Sequence, residues 1–424
     1  MHGRILLATT ILSAAAGFAS ADVAVTGSAR MGILSTDSNS VFSSRVRMSF
    51  SGTGTTDSGL AFGGKFDAQD TQGANAGTSG SVFISGAFGK LTMGDVGGGD
   101  AKSVGQLASV GYTSLGWTNS INYVADGGIG DFGLTGEKAV AAVYNSQGEL
   151  TNADDVRVAR ANISGPAGAK VLYTYTTGGL TMNASTTQLS NGGQSAYGIG
   201  ASYVTGGLTL GVGVGSSDLT INNVNVIVQQ DPTDTTDPLF AQAALDGFTG
   251  TAKDMSMSAT YVMGSTTIMG IYQTKTLDVT RAGDAFLTDG TTAATENVFA
   301  EDAIVTLVDA VDVTATATSM GMSVVQKMDA MTLTAFTVQT AIDAPMLADA
   351  ATSTRSGLGV AYDLGGGATI KAGWVHANSP ELTQQIVVPG NYESGSSGTV
   401  DTIVGGKITE TATNMYDIGV TFSF

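Results

Sequence analysis

The chain contains no cysteine, which excludes a fold held together by disulfide bonds. Only 6 of its 424 residues are proline, and only 13% are charged. Lys and Arg number 18 against 36 Asp and Glu, so the formal net charge is −18, and the basic surface that binds nucleic acid is excluded. Beyond the first 21 residues no apolar run of about 18 residues occurs, so the sequence predicts no transmembrane helix.

The first 21 residues have the pattern of an export signal. Arg4 supplies the only early positive charge, an apolar run covers 5–18, and the small-x-small pattern of a signal-peptidase site covers 19–21. The apolar run is too short for a comfortable membrane span, which needs about 20 residues. We therefore predict a signal peptide at 1–21, cleavage after Ala21, and a single mature domain at 22–424.

Glycine is abundant, with 59 residues, and it separates stretches in which apolar and polar residues alternate. In the last stretch, an apolar set that ends at Phe424 alternates with Asp417, Gly419 and Thr421. Such alternation predicts a strand with one apolar face and one wet face. Sixteen stretches of this kind are present, at 23–34, 43–52, 59–68, 81–88, 90–96, 169–176, 179–189, 196–204, 208–216, 254–263, 266–275, 317–327, 331–340, 356–364, 368–377 and 413–424. In the runs around Ile268 and Phe336, the apolar residues do not fall clearly on one face of the strand.

The connections between these stretches sort by parity. Those after even-numbered strands are short, whereas those after odd-numbered strands tend to be long, notably 97–168, 217–253, 276–316 and 378–412. An even number of strands with tight turns at one end and long loops at the other predicts an all-β, transmembrane, antiparallel up-and-down β-barrel with an aqueous channel. A soluble β-sandwich or adhesin would not sort its connections in this way. A competing assignment adds strands at 120–124 and 138–144, which gives 18 strands.

Several segments resemble the general diffusion porins of alphaproteobacteria. They include ARMGI at 29–33, FSSRVRM at 42–48, GTTDSGLAFG at 54–63, VFISGAFGKLTMGD at 82–95 and AYDLGGGA at 361–368. The resemblance implies a homotrimer of 16-stranded barrels in the outer membrane of a Gram-negative cell, each with its long third outer loop folded into the pore as a constriction. It also implies that the outer-membrane insertion machinery reads the aromatic terminus, Phe424.

The resemblance further implies that acids on the inward loop face a basic patch on the barrel wall, and opposed charges of this kind create a transverse field. The candidates for the basic patch, on inward-facing positions of strands one to three and at the start of strand five, are Arg30, Arg45, Arg47, Lys65 and Lys90. Near the start of the loop, the candidates for the acidic side are Asp95 and Asp100.

The acidic side is sparser than the resemblance leads us to expect. Gln106, Ser109 and Ser114 stand where further acids are expected, and Lys102 adds a positive charge. Acids farther along the loop could compensate if it also bends inward, and these are Asp126, Asp131 and Glu137. The net charge favours a weak cation preference, but the basic patch could reverse it at the narrowest point.

We predict a passive, water-filled porin for the diffusion of ions and small hydrophilic solutes, and not an enzyme. Once the signal peptide is removed, His376 is the only histidine available to a Ser-His hydrolase. Two alternatives stay open, a substrate-selective outer-membrane channel and a structural or adhesive surface barrel with a plugged lumen.

The expected partners are outer-membrane lipid, lipopolysaccharide and the insertion machinery, with no nucleic acid. No cofactor is expected. Acidic loop clusters could nevertheless hold Ca²⁺ through their oxygens, at Asp154 and Asp155 and at Asp231, Asp234 and Asp237. The alternative interpretation of these clusters is a solvated acidic surface that divalent ions bridge to lipopolysaccharide.

Overall fold

The computed structural model describes residues 22–37, 39–71, 79–128, 162–164, 169–187, 195–222, 224–229, 240–245, 248–281, 285–286, 307–308, 311–343, 351–379, 382–388, 402–408 and 411–424. The segment 1–21 lies outside these residues, so the signal peptide and cleavage after Ala21 stay predictions.

Sixteen antiparallel strands form one closed wall. In chain order they are β1 Asp22–Thr36, β2 Asn39–Thr55, β3 Ala61–Thr71, β4 Ser79–Gly86, β5 Gly89–Gly94, β6 Val171–Thr177, β7 Leu180–Thr186, β8 Ala196–Thr205, β9 Leu208–Asn222, β10 Phe248–Met263, β11 Thr266–Arg281, β12 Val311–Met328, β13 Met331–Asp343, β14 Ala351–Gly365, β15 Ala368–Ser379 and β16 Thr411–Ser423. Each pairs with its neighbours in sequence, and β1 also pairs with β16. The predicted 16-stranded barrel is confirmed, and its closure leaves no wall strand with a free edge.

The turns follow the predicted parity. Every connection after an even-numbered strand has two to five residues. Gly178 and Asp329, which open two of the two-residue turns, have φ of 56° and 48°, the conformation that matches the twist of an antiparallel hairpin. Connections after odd-numbered strands include the long segment 95–170, although β1 and β2 are joined by only 37–38.

The two faces of the wall differ as the alternation predicts. On β14, Leu358, Val360 and Tyr362 are exposed on the outer face, and on β16 the outer face carries Tyr416 and Ile418. Exposed apolar side chains on a closed barrel form the surface that faces lipid in a membrane. The inner face carries mostly polar or small residues, which water can line, apart from a few buried apolar side chains such as Ile271 and Phe336.

A few short elements complete the described chain. The strand Asn162–Ser164 pairs with the end of β9, and two-stranded ribbons join Val224–Gln229 to Phe240–Leu245, Ala285–Phe286 to Leu307–Val308 and Leu382–Val388 to Thr402–Ile408. Helix α1 spans Gly99–Val104, and two 3₁₀ turns span Ser114–Trp117 and Val124–Asp126. None of the helices in the described ranges has the length and apolar character needed to cross a bilayer.

The 18-stranded alternative is wrong. Residues 120–123 are not in a strand, and Val124 begins a 3₁₀ turn. The predicted partner strand at 138–144 lies outside the described residues. The physical reason is visible in the side chains, because Ile121 and Val124 are fully buried and pack as part of a folded loop rather than alternating between two faces.

Candidate functional site

Residues 95–128, which follow β5, lie against the inner face of the barrel. Gly99 donates its backbone N–H to Ser185 Oγ on β7 at 2.8 Å. Ala108 donates its backbone N–H to Ser323 Oγ on β12 at 3.2 Å. The segment, which we call the inner loop, therefore follows the wall through about a third of the circumference before it continues to β16.

An apolar cluster holds the inner loop to the wall. The loop contributes Val104, Leu107, Val110, Leu115, Ile121 and Tyr123, and the wall contributes Ile271, Phe336, Val338 and Val375. Burying each large apolar side chain contributes on the order of 1.5–3 kcal/mol. This part of the lumen is therefore filled with protein, and the loop has a fixed position.

Glycine in the wall lets the loop backbone approach closely. A Cβ atom added to Gly213 on β9 would lie 2.7 Å from Asp100 Cα, and one added to Gly359 on β14 would lie 2.8 Å from Val110 Cβ. Real Cβ atoms do not approach other atoms so closely, so a side chain at either position would displace the loop. These glycines are a seat for the inner loop.

The inner loop is braced against itself. Gln106 donates from Nε2 to the Ile121 carbonyl at 2.7 Å and accepts the Ile121 N–H at 2.7 Å. Asn119 Nδ2 donates to the Leu107 carbonyl at 2.5 Å. The outgoing and returning halves of the loop are thus cross-linked, which stiffens the element that narrows the lumen.

The tip of the inner loop is attached where the barrel closes. Thr113 donates both its backbone N–H and its hydroxyl to Asp417 Oδ2 on β16, at 2.8 and 2.6 Å. On the neighbouring strand β1, Arg30 Nη1 donates to the Tyr112 carbonyl at 3.4 Å. The loop therefore ends its course against the first and last strands.

Four cations lie together beside the loop tip. Arg30 and Arg45 are directly opposite each other in the β1–β2 ladder, and Arg47 on β2 donates from Nε to Gln69 Oε1 at 2.8 Å. These three arginines and Lys371 on β15 line a cavity of about 520 Å³ that is bounded on its other side by loop residues 109–112. We call these four residues the basic wall.

Lys371 is the member of the basic wall that sequence reasoning missed. Its inward parity on β15 was a usable signal, since it alternates with Ile370 and Ala372. Parity alone does not show that β15 lies two strands from β1. The pairing of β15 with β16, and of β16 with β1, brings Lys371 to the arginines.

The other two predicted basic residues lie elsewhere. Lys65 Nζ is 3.3 Å from Asp67 Oδ1 in a salt bridge on β3. Lys90 Nζ lies 4.0 Å from the centre of the Phe83 ring, next to the tight turn between β4 and β5. Neither lines the cavity, so the structure brings together three of the five predicted basic residues.

The prediction that Asp100 faces the basic patch is wrong. Its side chain has no exposed surface and packs into the wall against Gly198 and Gly213, on β8 and β9. Burial, together with the nearby charge of Asp254, raises the pKa of Asp100 to about 7. A carboxyl that is buried and partly protonated at neutral pH cannot serve as a fixed negative pole of a field across the lumen.

The remaining acids of the described loop, Asp95 and Asp126, are exposed near its base rather than at its tip. Asp95 is exposed at the start of the loop, where its N–H donates to the Gly80 carbonyl at 2.8 Å, and it does not line the cavity. Asp126 accepts the Gly98 N–H and so braces the base of the loop. Asp131 and Glu137 lie outside the described residues. The exposed side chains on the described loop between 101 and 110 are Lys102, Gln106 and Ser109.

In the described ranges no three His, Cys, Asp or Glu side chains are arranged to hold a metal ion. The acidic clusters at 154–155 and 231–237 lie outside those ranges, so Ca²⁺ binding there stays untested. His376 Nδ1 is 3.0 Å from Asn414 Oδ1, and this hydrogen bond links β15 to β16.

Comparison with known proteins supports the same architecture. A family model described as Gram-negative porin matches residues 8–380. A porin of Rhodobacter capsulatus is 30% identical over 360 residues, which cover 83% of this chain and 93% of that protein. This family relationship favours a channel over an enzyme.

Solved structures show the same fold. A porin structure refined at 1.8 Å resolution superposes with a TM-score of 0.53 at 24% identity, covering 95% of this chain and 100% of the other. The trimer form of OmpT, an outer-membrane protein of Vibrio cholerae, gives a TM-score of 0.58 at 15% identity, with 95% and 99% coverage. The chain belongs to the Gram-negative porin family and forms a passive diffusion channel in the outer membrane.

Proposed function

We propose that the inner loop and the basic wall together form the constriction of this channel. The observation that supports this proposal is the course of the loop, which is fixed at β7, at β12 and at β16. A loop held at three points along one side of the lumen leaves a passage beside the remaining wall. The basic wall then lines the narrow part of that passage.

Small hydrophilic solutes and ions pass through this constriction without chemical change. The loop sets the width, because its apolar cluster and its internal braces hold it in one position. The charges at the constriction differ from the arrangement that the family resemblance implies, in which acids on the loop face a basic wall. Between residues 101 and 110 the described loop exposes Lys102, Gln106 and Ser109 rather than acids, and its exposed acids, Asp95 and Asp126, lie at the base. The described loop residues that line the cavity therefore place no carboxylate opposite the basic wall.

The assembly is proposed to be a homotrimer embedded in outer-membrane lipid and lipopolysaccharide. Support comes from the exposed apolar side chains of the outer face and from the trimer named for the OmpT structure. Export by a signal peptide at 1–21 and insertion by machinery that reads Phe424 complete the proposal. Any Ca²⁺ on the acidic outer loops would contribute to the lipopolysaccharide contact and not to conduction.

Planar-bilayer recording of the purified protein tests this function. Stepwise conductance in groups of three, with glucose leaving the current unchanged except for its effect on viscosity, is the expected result. Progressive polyethylene glycol sizes should then reduce the current up to a cut-off set by the constriction. A protein that inserts, as shown by a folded and protease-resistant barrel, but conducts no current would overturn the proposal and favour a plugged structural barrel.

The substrate-selective channel stays a second candidate because the basic wall encloses a defined cavity beside the loop tip. A passive pore without such a site would show current that rises in proportion to salt concentration. A selective pore would show current that saturates for one class of solute.

A further inference from the structure

The cavity beside the loop tip has positive charge without a matching negative charge. Among the described residues, its lining includes the four residues of the basic wall and no Asp or Glu. In the described part of the chain the only side-chain salt bridges join Lys65 to Asp67 and Lys253 to Asp278. No member of the basic wall therefore has an ion-pair partner among the described residues.

Two arginines in the cavity also have unused hydrogen-bond donors. Nε of Arg30 and Nε of Arg45 are buried and have no partner among the described residues, so the protein does not satisfy either guanidinium fully. The one hydrogen bond from the Arg30 side chain to another described residue, to the Tyr112 carbonyl, is long at 3.4 Å. A guanidinium donates best to oxygen atoms of a carboxylate or phosphate, and the Nη atoms, not the buried Nε atoms, are the donors that an anion in the cavity can reach.

The carboxylate on the neighbouring strand is already engaged. Asp417 Oδ2 accepts two hydrogen bonds from Thr113, and its side chain is buried behind the loop tip rather than lining the cavity. It therefore stabilises the loop and moderates the field at Arg30 without entering the cavity. The space in front of the arginines is left for an anion from solution.

The rest of the lining suits an oxyanion rather than a bare halide. Hydroxyl groups of Ser109 and Ser114 from the loop, and of Thr332 and Thr334 from β13, border the cavity. Hydroxyls and guanidinium groups together supply donors to several oxygen atoms at once. The volume of about 520 Å³ also exceeds what a single small ion requires.

We propose that the basic wall is a binding site for small dianionic oxyanions, such as phosphate and phosphate monoesters, within the channel. This inference rests on the proposed function and deepens it, because it adds a saturable step for one class of solute to an otherwise passive pore. At low phosphate concentration, the site takes up such anions and releases them again, so they pass through the channel. At higher phosphate concentration the site stays occupied, and the bound anion excludes chloride from the narrow passage. The channel is therefore selective for anions although the whole chain is acidic.

Bilayer recording at low salt tests the site with inorganic phosphate as the probe. In about 0.1 M KCl, where charges are screened over only about 10 Å, phosphate is added at about pH 8 with total ionic strength held constant. We expect anion preference in a KCl gradient and a chloride current that falls saturably as phosphate rises. Succinate, added in a parallel series, shows whether a dicarboxylate fits the same donors.

Matched variants localise the effect. Lys371→Gln removes one charge from the cavity and should raise the half-blocking phosphate concentration by about tenfold, since hydrogen bonds to charged groups are the strong ones. Arg45→Gln should act in the same direction. Lys327→Gln is the control, because Lys327 shares the inward parity of Ser323 on β12 but does not line the cavity. Its half-blocking concentration should equal that of the natural chain.

The outcomes separate the site from the channel. Conductance without phosphate block, or equal shifts in Lys371→Gln and Lys327→Gln, would overturn the binding site and leave the passive channel intact. Absence of conductance in a folded trimer would instead overturn the proposed function. If Arg45→Gln fails to assemble, Lys371→Gln alone decides, because its side chain makes no hydrogen bond that holds the described wall together.

Discussion

Thr113, at the tip of the inner loop, gives two hydrogen bonds to one oxygen of Asp417, on the last strand of the barrel. The two residues are 304 positions apart in the chain, so this contact joins the loop to the seam at which the wall closes. It uses the backbone N–H, at 2.8 Å, and the hydroxyl, at 2.6 Å. One carboxylate therefore accepts both hydrogen bonds that join Thr113 to the seam.

Removing that carboxylate should loosen the tip. In Asp417→Ala two donors of Thr113 lose their acceptor inside the protein. This loss lowers the free energy that holds the loop tip against the wall by about 1–3 kcal/mol. We expect larger and noisier single-channel current with an unchanged amount of folded trimer. Asp363→Ala, which removes an acceptor in the tight turn between β14 and β15, is the control and should leave the current unchanged. Quiet current of natural size in Asp417→Ala would show that other contacts fix the tip.

A side chain in the glycine seat should push the loop into the passage. Gly359→Ala adds a Cβ that would meet Val110 at 2.8 Å, so Val110 and its neighbours must move toward the lumen. We expect a smaller conductance and a lower size cut-off for polyethylene glycol. Gly64→Ala is the matched control on β3, because its Cβ would meet atoms at 3.4 and 3.5 Å, which is ordinary contact. Equal conductance in the two variants would show that the loop yields along the wall instead.

Seating of the loop should weaken as pH rises toward neutrality. Burial, with charge from Asp254 and Asp126, raises the pKa of Asp100 to about 7 from an ordinary value of about 3.9. The seated loop thus binds this proton more tightly than a released, hydrated loop would. Seating is fully favoured below about pH 4 and loses stability progressively until about pH 7.

Current noise measured between about pH 5 and 8 checks this dependence. It should increase with pH in the natural protein and stay low and constant in Asp100→Asn, whose neutral amide resembles the protonated acid. Noise that rises equally in Asp100→Asn would assign the effect to another group.

Charge reversal at the basic wall should reverse ion preference. Arg45→Glu combined with Arg47→Glu changes the charge beside the loop tip by four units, and the field there is weakly screened. The reversal potential in a KCl gradient should move toward the potassium equilibrium potential. Two reversals elsewhere on the inner face, Lys327→Glu and Lys65→Glu, provide a control with the same total charge. An unchanged reversal potential in the arginine variant would remove these residues from the constriction.

The last residue should matter for assembly more than for conduction. Phe424 donates its N–H to the Gly27 carbonyl at 3.0 Å, and its ring lies over Gly27 at the end of the β1–β16 seam. Deletion of Phe424 should reduce the fraction of protein recovered as heat-resistant trimer from outer membranes, while each inserted channel conducts normally. Phe424→Tyr, which keeps the aromatic ring, should assemble well. Normal recovery of the deletion variant would contradict the assignment.

The sequence predicted the wall more accurately than the lumen, and two strands show why. The runs around Ile268 and Phe336 lacked a clear face because strands β11 and β13 carry apolar residues on both sides. Inward-facing Ile271 and Phe336 pack against the inner loop. Alternation of apolar and polar residues indicates a strand that has lipid on one side and water on the other. The pattern becomes ambiguous where the inner face of the strand packs against protein instead of water. The two strands with an ambiguous pattern are therefore strands on which the inner loop packs.

The site was harder to predict because it depends on distance around and along the barrel. Parity correctly placed Arg30, Arg45 and Arg47 on one face, and neighbouring strands brought them together. It could not separate them from Lys65 and Lys90, which share the parity but lie nearer the tight turns. Nor could it show that Asp100 turns into the wall, because this follows from glycines on β8 and β9, nearly a hundred residues or more away in sequence.

The attachment of the loop to β16 also orders events during biogenesis. Asp417, which accepts both hydrogen bonds of Thr113, lies on β16, so this anchor of the tip is in place only when β16 has joined the wall. Without β16 the tip lacks its link to the seam, whereas the contacts at β7 and β12 can hold the earlier part of the loop. Closure of the wall and positioning of the loop tip therefore depend on the same strand.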